Sequence, residues 1–237
     1  MYDIPGQRVK FAFVPLGASA TIGTSSITYK SQDQTSYTAN LTVKDFTNPP
    51  KNKTIAVADT SLYESISEDA LKEWNDLVAK YSLESTGEVL WNGKFSYPTG
   101  SKQVLAGGAS YGAKINIISP YYNGEYTNSG IDLIPSASKK VYAANSGKVV
   151  FTGELTFMGK TVVIDHGCGL ISYYGHLDSI DVKAGDPVAK TTILGSSGST
   201  GFACNSQGNK ASMVHFAVSM NGVFIDPVSP CTAINLG

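Results

Sequence analysis

The chain has 237 residues, enough for one large domain or for two units that bury a substantial core. Its formal net charge is −1 and charged residues make up only 16% of it, which excludes an electrostatic nucleic-acid binder and a basic membrane-surface segment. The content of tyrosine and glycine, 13 and 24 residues, is typical of β-rich extracellular proteins.

The sequence contains no apolar run of the roughly 18 residues that a membrane-spanning helix needs. The opening residues, MYDIPGQRVKF, lack the charged-then-apolar layout of a signal peptide. We therefore expect an extracellular or cell-envelope protein whose leader or anchor is not in this chain. The three cysteines, Cys168, Cys204 and Cys231, show no metal-knuckle spacing, and a bridge between Cys204 and Cys231 stays open.

The N-terminal third alternates short apolar runs with turn residues. Residues 9–57 include VKFAFVPLG, SSITYKS, YTANLTVKDF and KTIAVAD, which predict short strands. The prolines of NPPKN, residues 48–52, predict an exposed loop, and whether this loop approaches a functional groove stays open. This region carries no motif that assigns it a role.

One amphipathic helix follows, in ESISEDALKEWNDLVAKYSLESTG. Ser65 and Glu68 stand in capping-box register, and Gly87 lies beyond the predicted end. The apolar side chains recur at helical spacing and predict a stripe that packs into a core. They are Leu71, Trp74, Leu77, Val78 and Tyr81.

From about residue 90 the pattern returns to strands separated by glycine turns. KKVYAANSGKVVFTGE, GKTVVIDHG, GLISYYGHL, DPVAKTTILGSSG and SMVHFAVSMNGVFIDP predict a compact antiparallel sheet or half-barrel. The predicted fold is therefore mainly β, with an N-terminal α+β region over residues 1–90 and a second domain over residues 91–237.

The chain has three histidines, His166, His176 and His215. His215 lies in a strand, so Met213 points to the same face, where a second histidine would aim two imidazoles into one groove. His166 precedes a glycine turn and is predicted to cap it through a ring hydrogen bond, and His176, taken alone, favours a structural role. Asp132 starts an apolar run, which implies a ligand or a backbone donor for its carboxylate.

Five segments, taken in chain order, resemble the lysostaphin-type (LytM-like) zinc endopeptidase domain. They are FSYPTGSKQVLAGGASYG, NSGIDLIPSASKKVYAANSGKVVFTGE, GKTVVIDHGCGLISYYGHL, VKAGDPVAKTTILGSSGSTG and SMVHFAV with VFIDP, from about Phe95 to Pro227. The resemblance implies a fold of the duplicated hybrid motif type. In that family an HxxxD motif and the second histidine of a late HxH bind zinc, a water takes the fourth position, and the substrates are peptide cross-bridges or stems of bacterial peptidoglycan.

Carried onto this chain, the resemblance makes Asp132 and His215 metal ligands. The histidine of HxxxD is replaced by Asn128, and the first histidine of HxH, an acid-base group in the family, is replaced by Met213. Losing a group that merely supports a metal ligand already costs about 10- to 100-fold in metal affinity, so loss of a ligand imidazole should cost at least as much. We expect zinc to be absent or weakly bound.

Two further residues match groups that serve the chemistry in that family. His176 matches the acid-base histidine of its YxHL segment, and Tyr122 matches a tyrosine that helps hold the developing oxyanion. Met213 can neither take nor give a proton, and general acid-base catalysis is typically worth about 10²- to 10⁴-fold. The two replacements therefore affect separate parts of one mechanism.

Two functions follow from this pattern. The first is an inactive pseudo-peptidase of the cell envelope that binds peptidoglycan peptides or an envelope protein partner, as degenerate members of the family do when they activate other hydrolases. The alternative is an active zinc endopeptidase with an altered metal site, in which His166 is a less favoured replacement ligand. The retained Asp132, His176 and His215 motivate this alternative.

Overall fold

The structure, a computed structural model, describes residues 2–3, 10–11, 17, 20–30, 34–43, 50–105 and 108–228. In these ranges no helix is long and apolar enough to cross a membrane. Cys231 and the loop residues 48–49 lie outside the described residues, whereas Cys168 and Cys204 are both free thiols.

Two antiparallel pairs of strands form separately from the main sheet at the N-terminal end. Strand β1 (Tyr2–Asp3) pairs with β2 (Lys10–Phe11), and β3 (Gly23–Lys30) pairs with β4 (Ser36–Val43). Threonine hydroxyls face each other across the second pair, as cross-strand neighbours on one face of a hairpin do. These strands confirm that residues 9–57 carry short β segments.

Helix α1 runs over Glu68–Leu83, after a 3-10 helix at Thr60–Ser65. Its N-cap is Ser67, whose hydroxyl accepts from Ala70 N–H at 3.0 Å. The predicted capping residue, Ser65, is wrong by two positions because it closes the preceding 3-10 helix. The predicted apolar stripe is confirmed, since Trp74 is buried between the rings of Tyr173 (5.2 Å) and Phe224 (5.9 Å).

A small sheet joins the N-terminal region to the rest of the chain. Strand β5 (Lys53–Ala56) pairs in parallel with β6 (Lys114–Ile118), which pairs antiparallel with β7 (Asn123–Thr127). The domain boundary near residue 90 stays a prediction, but β5 and α1 both pack with residues that lie beyond it.

In the part of the chain that the structure describes, the main sheet has nine strands, and they pair antiparallel throughout. It is an open sheet, and it confirms the predicted mainly β fold. Its strands are β8 (Gly130–Leu133), β9 (Lys140–Tyr142), β10 (Gly147–Leu155), β11 (Gly159–Asp165), β12 (Leu170–Ile180), β13 (Pro187–Val188), β14 (Ile193–Ser197), β15 (Val214–Met220) and β16 (Val223–Ile225).

Alternation along the strands divides the apolar side chains between two cores, one on each face of this sheet. Tyr174 and Phe216 belong to one core, whereas Tyr173 and Ala217 belong to the core that also contains Trp74 of α1. Successive side chains of a strand point to opposite faces, so His215 lies on the same face as Ala217. Helix α1 therefore packs on the face of the sheet that carries His215.

Candidate functional site

Asp132 and His215 lie directly opposite each other on the paired strands β8 and β15. The Nδ1–H of His215 donates to Oδ1 of Asp132 at 2.9 Å, and both side chains are buried. Gly130 makes this pairing close, because a Cβ at that position would lie 2.2 Å from the Phe216 carbonyl oxygen. The structure thus brings together the two metal ligands predicted from the sequence.

The carboxylate of Asp132 stays ionised although it is buried. Burial raises its pKa, but the hydrogen bond and electrostatic interaction with His215, the electrostatic interaction with His176 and the Ala109 N–H together lower the pKa below its ordinary value. Ala109 N–H donates to Oδ2 at 3.3 Å. The acid therefore has the backbone donor and the partner that its position in an apolar run implied.

The second ring nitrogen of His215 also has a protein partner. Its Nε2 lies 3.2 Å from the Ser129 hydroxyl. A serine hydroxyl can donate to or accept from a ring nitrogen. Both nitrogens of this imidazole thus have a hydrogen-bonding partner within the protein.

Asn128 holds the polypeptide around the site. Its Nδ2 donates to the Gly130 carbonyl at 2.9 Å and to the Ser110 carbonyl at 3.3 Å, and its own N–H donates to the Ala113 carbonyl at 2.8 Å. The side chain is buried. Only its neutral amide oxygen is left over to serve as a metal donor.

His176 lies beside this pair, with its ring centroid 6.1 Å from that of His215. Its Nδ1–H donates to the Thr200 carbonyl at 2.9 Å, which leaves the lone pair on Nε2. Burial, reinforced by the charge of His215, lowers the pKa of His176 to about 4. The ring is therefore a neutral imidazole at pH 7, positioned next to Asp132 and His215.

Residues 126–227 match the sequence model of Peptidase family M23. This chain contains a peptidase M23 (LytM-like) domain. The family comprises peptidoglycan metalloendopeptidases, and its members typically bind zinc. The match covers Asn128, Asp132, His176 and His215 together with the strands that position them.

Comparison with individual proteins supports this assignment. The uncharacterized lipoprotein YgeR of Escherichia coli is 31% identical over 113 residues, which are 47% of this chain and 42% of YgeR. The murein hydrolase activator NlpD of E. coli is 26% identical over 133 residues, which are 56% of this chain and 30% of NlpD. The chain thus spans less than half the length of these curated relatives.

The fold match extends well beyond the M23 domain. The crystal structure of a Pseudomonas aeruginosa protein assigned to peptidase M23 superposes with a TM-score of 0.61 at 24% identity. It covers 94% of this chain, which covers 78% of that structure. The N-terminal region, like the M23 domain, therefore has a counterpart in a known fold.

The donor set of the M23 domain departs from that of a typical zinc site. Structural and catalytic zinc sites use at least three imidazole, thiolate or carboxylate ligands. The residues that the structure describes contain no cluster of three such side chains that could hold a metal. Asp132 and His215 supply two, and the third position holds the amide of Asn128.

Met213, at the other replaced position, lies just before β15. Its side chain is 1% exposed, and its N–H donates to the Gly198 carbonyl at 2.9 Å. The alternation of the strand places it on the face of His215, as the sequence predicts. A thioether at this position cannot exchange a proton with a substrate.

Tyr126 lines the cavity near the site and was not singled out from the sequence. The negative charge of Asp132, after the larger effect of burial, raises the pKa of Tyr126, so its hydroxyl remains protonated. Burial and the charge of Glu68, at the start of α1, raise the pKa of Tyr122. A role for Tyr122 at an oxyanion stays a prediction. Strand alternation places Tyr126, two residues before Asn128, on the same side of the chain, and this spacing could have pointed to Tyr126.

His166 belongs to a hydrogen-bond network in the core, away from Asp132. Its Nδ1–H donates to the Ser146 carbonyl at 2.8 Å, and its Nε2 lies 2.7 Å from the Ser172 hydroxyl. Tyr174 Oη lies 2.9 Å from that hydroxyl and accepts from Ala144 N–H. Both nitrogens of His166 thus serve the fold, but they do not cap the following glycine turn, where the Gly167 N–H donates to the Asp165 carboxylate instead.

The two buried neutral histidines predict a loss of stability in mild acid. Burial is the main cause that lowers the pKa of both His166 and His176 to about 4, from an ordinary 6.5. As the pH falls from 6.5 towards 4, these two histidines become protonated in the unfolded chain but stay unprotonated in the folded protein. The free energy of unfolding should then fall by about 1.4 kcal/mol per pH unit for each histidine.

Urea unfolding at steps between pH 7 and pH 5 measures this dependence. The His176→Gln variant is the control, because it removes one of the two titrating groups and should make the slope shallower by about one proton. A free energy of unfolding that is constant across this range would contradict the assignment of both histidines as neutral.

A cavity of about 460 Å³ opens between α1 and the site. Its walls combine aromatic and aliphatic side chains with polar groups, among them Asn128 and Ser129. Six of the residues that line it are Trp74, Tyr126, Asn128, Ser129, Phe157 and Phe224. Its size and mixed lining are typical of sites that bind small molecules or a few residues of a peptide.

Proposed function

We propose that this chain is a catalytically inactive M23 protein of the cell envelope that binds peptidoglycan peptides. The observation that carries the proposal is the chemistry of the two replaced positions, where Asn128 and Met213 stand in place of family histidines. Asp132 and His215 are hydrogen-bonded to each other, and the remaining nitrogen of His215 lies 3.2 Å from the Ser129 hydroxyl. Asn128, at the position of the third family ligand, donates its amide hydrogens to the backbone carbonyls of Ser110 and Gly130.

The cavity beside Asn128 and Ser129 gives the inactive site a binding role. Aromatic walls exclude water from an apolar group, and the amide and hydroxyl at one side offer hydrogen bonds to a peptide backbone. The relatives support an envelope location and a role without cleavage, since YgeR is named a lipoprotein and NlpD an activator of murein hydrolases. A protein partner in the envelope is the other candidate occupant of this surface.

The second candidate function is that of a zinc-dependent peptidoglycan endopeptidase with an altered metal site. The convergence of Asp132, His215 and His176 favours it, because a carboxylate and two imidazoles lie within one small region. In such an enzyme the bound zinc would lower the pKa of a water molecule to about 7. This function requires a third ligand that replaces the family histidine.

Two measurements separate these functions. Protein purified in the presence of zinc and then dialysed should contain far less than one equivalent of zinc, and it should leave the turbidity of a peptidoglycan suspension unchanged. About one equivalent of zinc together with clearing of the suspension would overturn the proposal.

Binding is tested by cosedimentation with insoluble peptidoglycan. Asn75 lines the cavity from α1, whereas Ala79, one turn later, is exposed outside the lining. Asn75→Arg should weaken binding about tenfold or more because a bulky cation blocks the opening, and Ala79→Arg should bind as the unmodified protein does. Equal binding by all three would place the ligand elsewhere.

A further inference from the structure

Strand β5 carries a lysine on its inward face. Alternation along β5 and the residue after it places Lys53, Ile55 and Val57 on one side, and Ile55 and Val57 are 5% and 7% exposed. Thr54 and Ala56, between them, are exposed. Lys53 therefore occupies the inward-facing position of an amphipathic strand, where a charged group is costly unless it has partners.

The ammonium group of Lys53 reaches the segment that covers Asp132. Lys53 Nζ donates to the carbonyl of Gly108, and the next residue, Ala109, donates its N–H to Oδ2 of Asp132 at 3.3 Å. A Cβ at Gly108 would lie 3.4 Å from Cβ of Asp132, which shows how closely this segment approaches the acid. Residues 108 and 109 thus connect the lysine to the carboxylate.

The charges agree with this placement. Burial lowers the pKa of Lys53, and the negative charge of Asp132 acts in the opposite direction and favours the ammonium form. The other titratable groups near Asp132 include His215, whose Nδ1 lies 2.9 Å from Oδ1, and His176, whose ring lies 6.1 Å from that of His215.

We propose that Lys53 is the resident cation of this degenerate metal centre. Its ammonium group balances the buried charge of Asp132 and fixes the 108–109 segment against it, so that the site is stable without a metal ion. The inference rests on the proposed function, because a centre that holds zinc would need no second cation. The inference also gives the N-terminal region a role, since Lys53 on β5 places its positive charge beside the M23 domain.

The test is the affinity for Zn²⁺, measured by competition with a chromophoric chelator. Lys53→Met removes the cation that repels an incoming Zn²⁺, so this variant should bind zinc about tenfold or more tightly than the unmodified protein. Lys53→Arg keeps the charge and should bind no more tightly. Lys114→Met is the matched control, because Lys114 lies on the adjacent strand β6, is exposed and pairs with Glu125.

The same comparison is made in an Asn128→His background, where zinc binding is strong enough to measure accurately. A Lys53→Met affinity equal to that of Lys114→Met in both backgrounds would overturn the inference. If Lys53 has a purely structural role, Lys53→Met should lower the melting temperature without raising the zinc affinity. That outcome would also overturn the inference. Zinc binding with peptidoglycan cleavage by the unmodified protein would instead contradict the proposed function, so the two failures are distinguishable.

Discussion

Replacing Asn128 by histidine is expected to raise the zinc affinity of this M23 domain by about 100-fold or more. The change completes a set of one carboxylate and two imidazoles around the position that Asp132 and His215 already flank. Removing a group that merely supports a ligand costs about 10- to 100-fold in metal affinity, so adding a missing ligand should gain at least as much. Isothermal titration with Zn²⁺ gives the affinity and the stoichiometry.

Thr127→His is the control for this experiment. Thr127 is exposed and adjacent in sequence, so a histidine there tests whether any added imidazole near the site attracts zinc. Asn128→His also removes the hydrogen bonds to Gly130 and Ser110, and circular dichroism with thermal unfolding checks that the variant folds. A folded Asn128→His protein that binds zinc as weakly as Thr127→His would show that more than this ligand has been lost.

The sequence allowed the convergence of Asp132 and His215 to be predicted because a family motif fixes where each lies along its strand. Paired strands bring opposite residues together, and the register of β8 with β15 does so for this pair. Helix α1 was also predictable, since its apolar residues recur at a helical period. In both cases a pattern in the sequence was enough to predict the feature.

Contacts made across elements distant in the sequence were not predictable in the same way. Lys53 reaches the 108–109 segment only because β5 pairs in parallel with β6, and a parallel pairing leaves no local signal in the sequence. Ser129 contacts Nε2 of His215 across a sequence separation of 86 residues. The N-cap shifted from Ser65 to Ser67 because a 3-10 helix ends at Ser65, and the two serines have similar capping propensities.

The position of helix α1 has a consequence for how the site is used. In this chain α1 packs on the same face of the sheet as His215, with Trp74 against Tyr173, so the N-terminal region forms one wall of the cavity beside the site. A ligand that binds there contacts residues from both regions. The cavity beside Asn128 is therefore consistent with the proposed binding role.

Introducing histidine at Met213 in the Asn128→His protein is expected to increase peptidoglycan cleavage by about 10²- to 10⁴-fold over Asn128→His alone. The period of the strand aims residue 213 at the face of His215, and an imidazole there supplies the acid-base group that a thioether cannot. His176 is already in place as a neutral imidazole on the other side. The rate is measured as new amino termini released from purified peptidoglycan.

Met213→His alone is the matched control, and it should remain inactive because the third ligand is still missing. Met213 is 1% exposed, so a buried imidazole at this position needs a hydrogen-bond partner to be tolerated. Met213→Gln introduces a polar side chain that cannot transfer protons. It therefore separates the cost of burying a polar group from the loss of acid-base catalysis. The double variant with Met213→His could fold and hold one equivalent of zinc, yet cleave peptidoglycan no faster than the double variant with Met213→Gln. In that case the missing acid-base group at residue 213 is not what limits the rate of cleavage. The barrier to cleavage would then lie in how the cavity presents its peptide, with α1 and Tyr126 as the elements to change next.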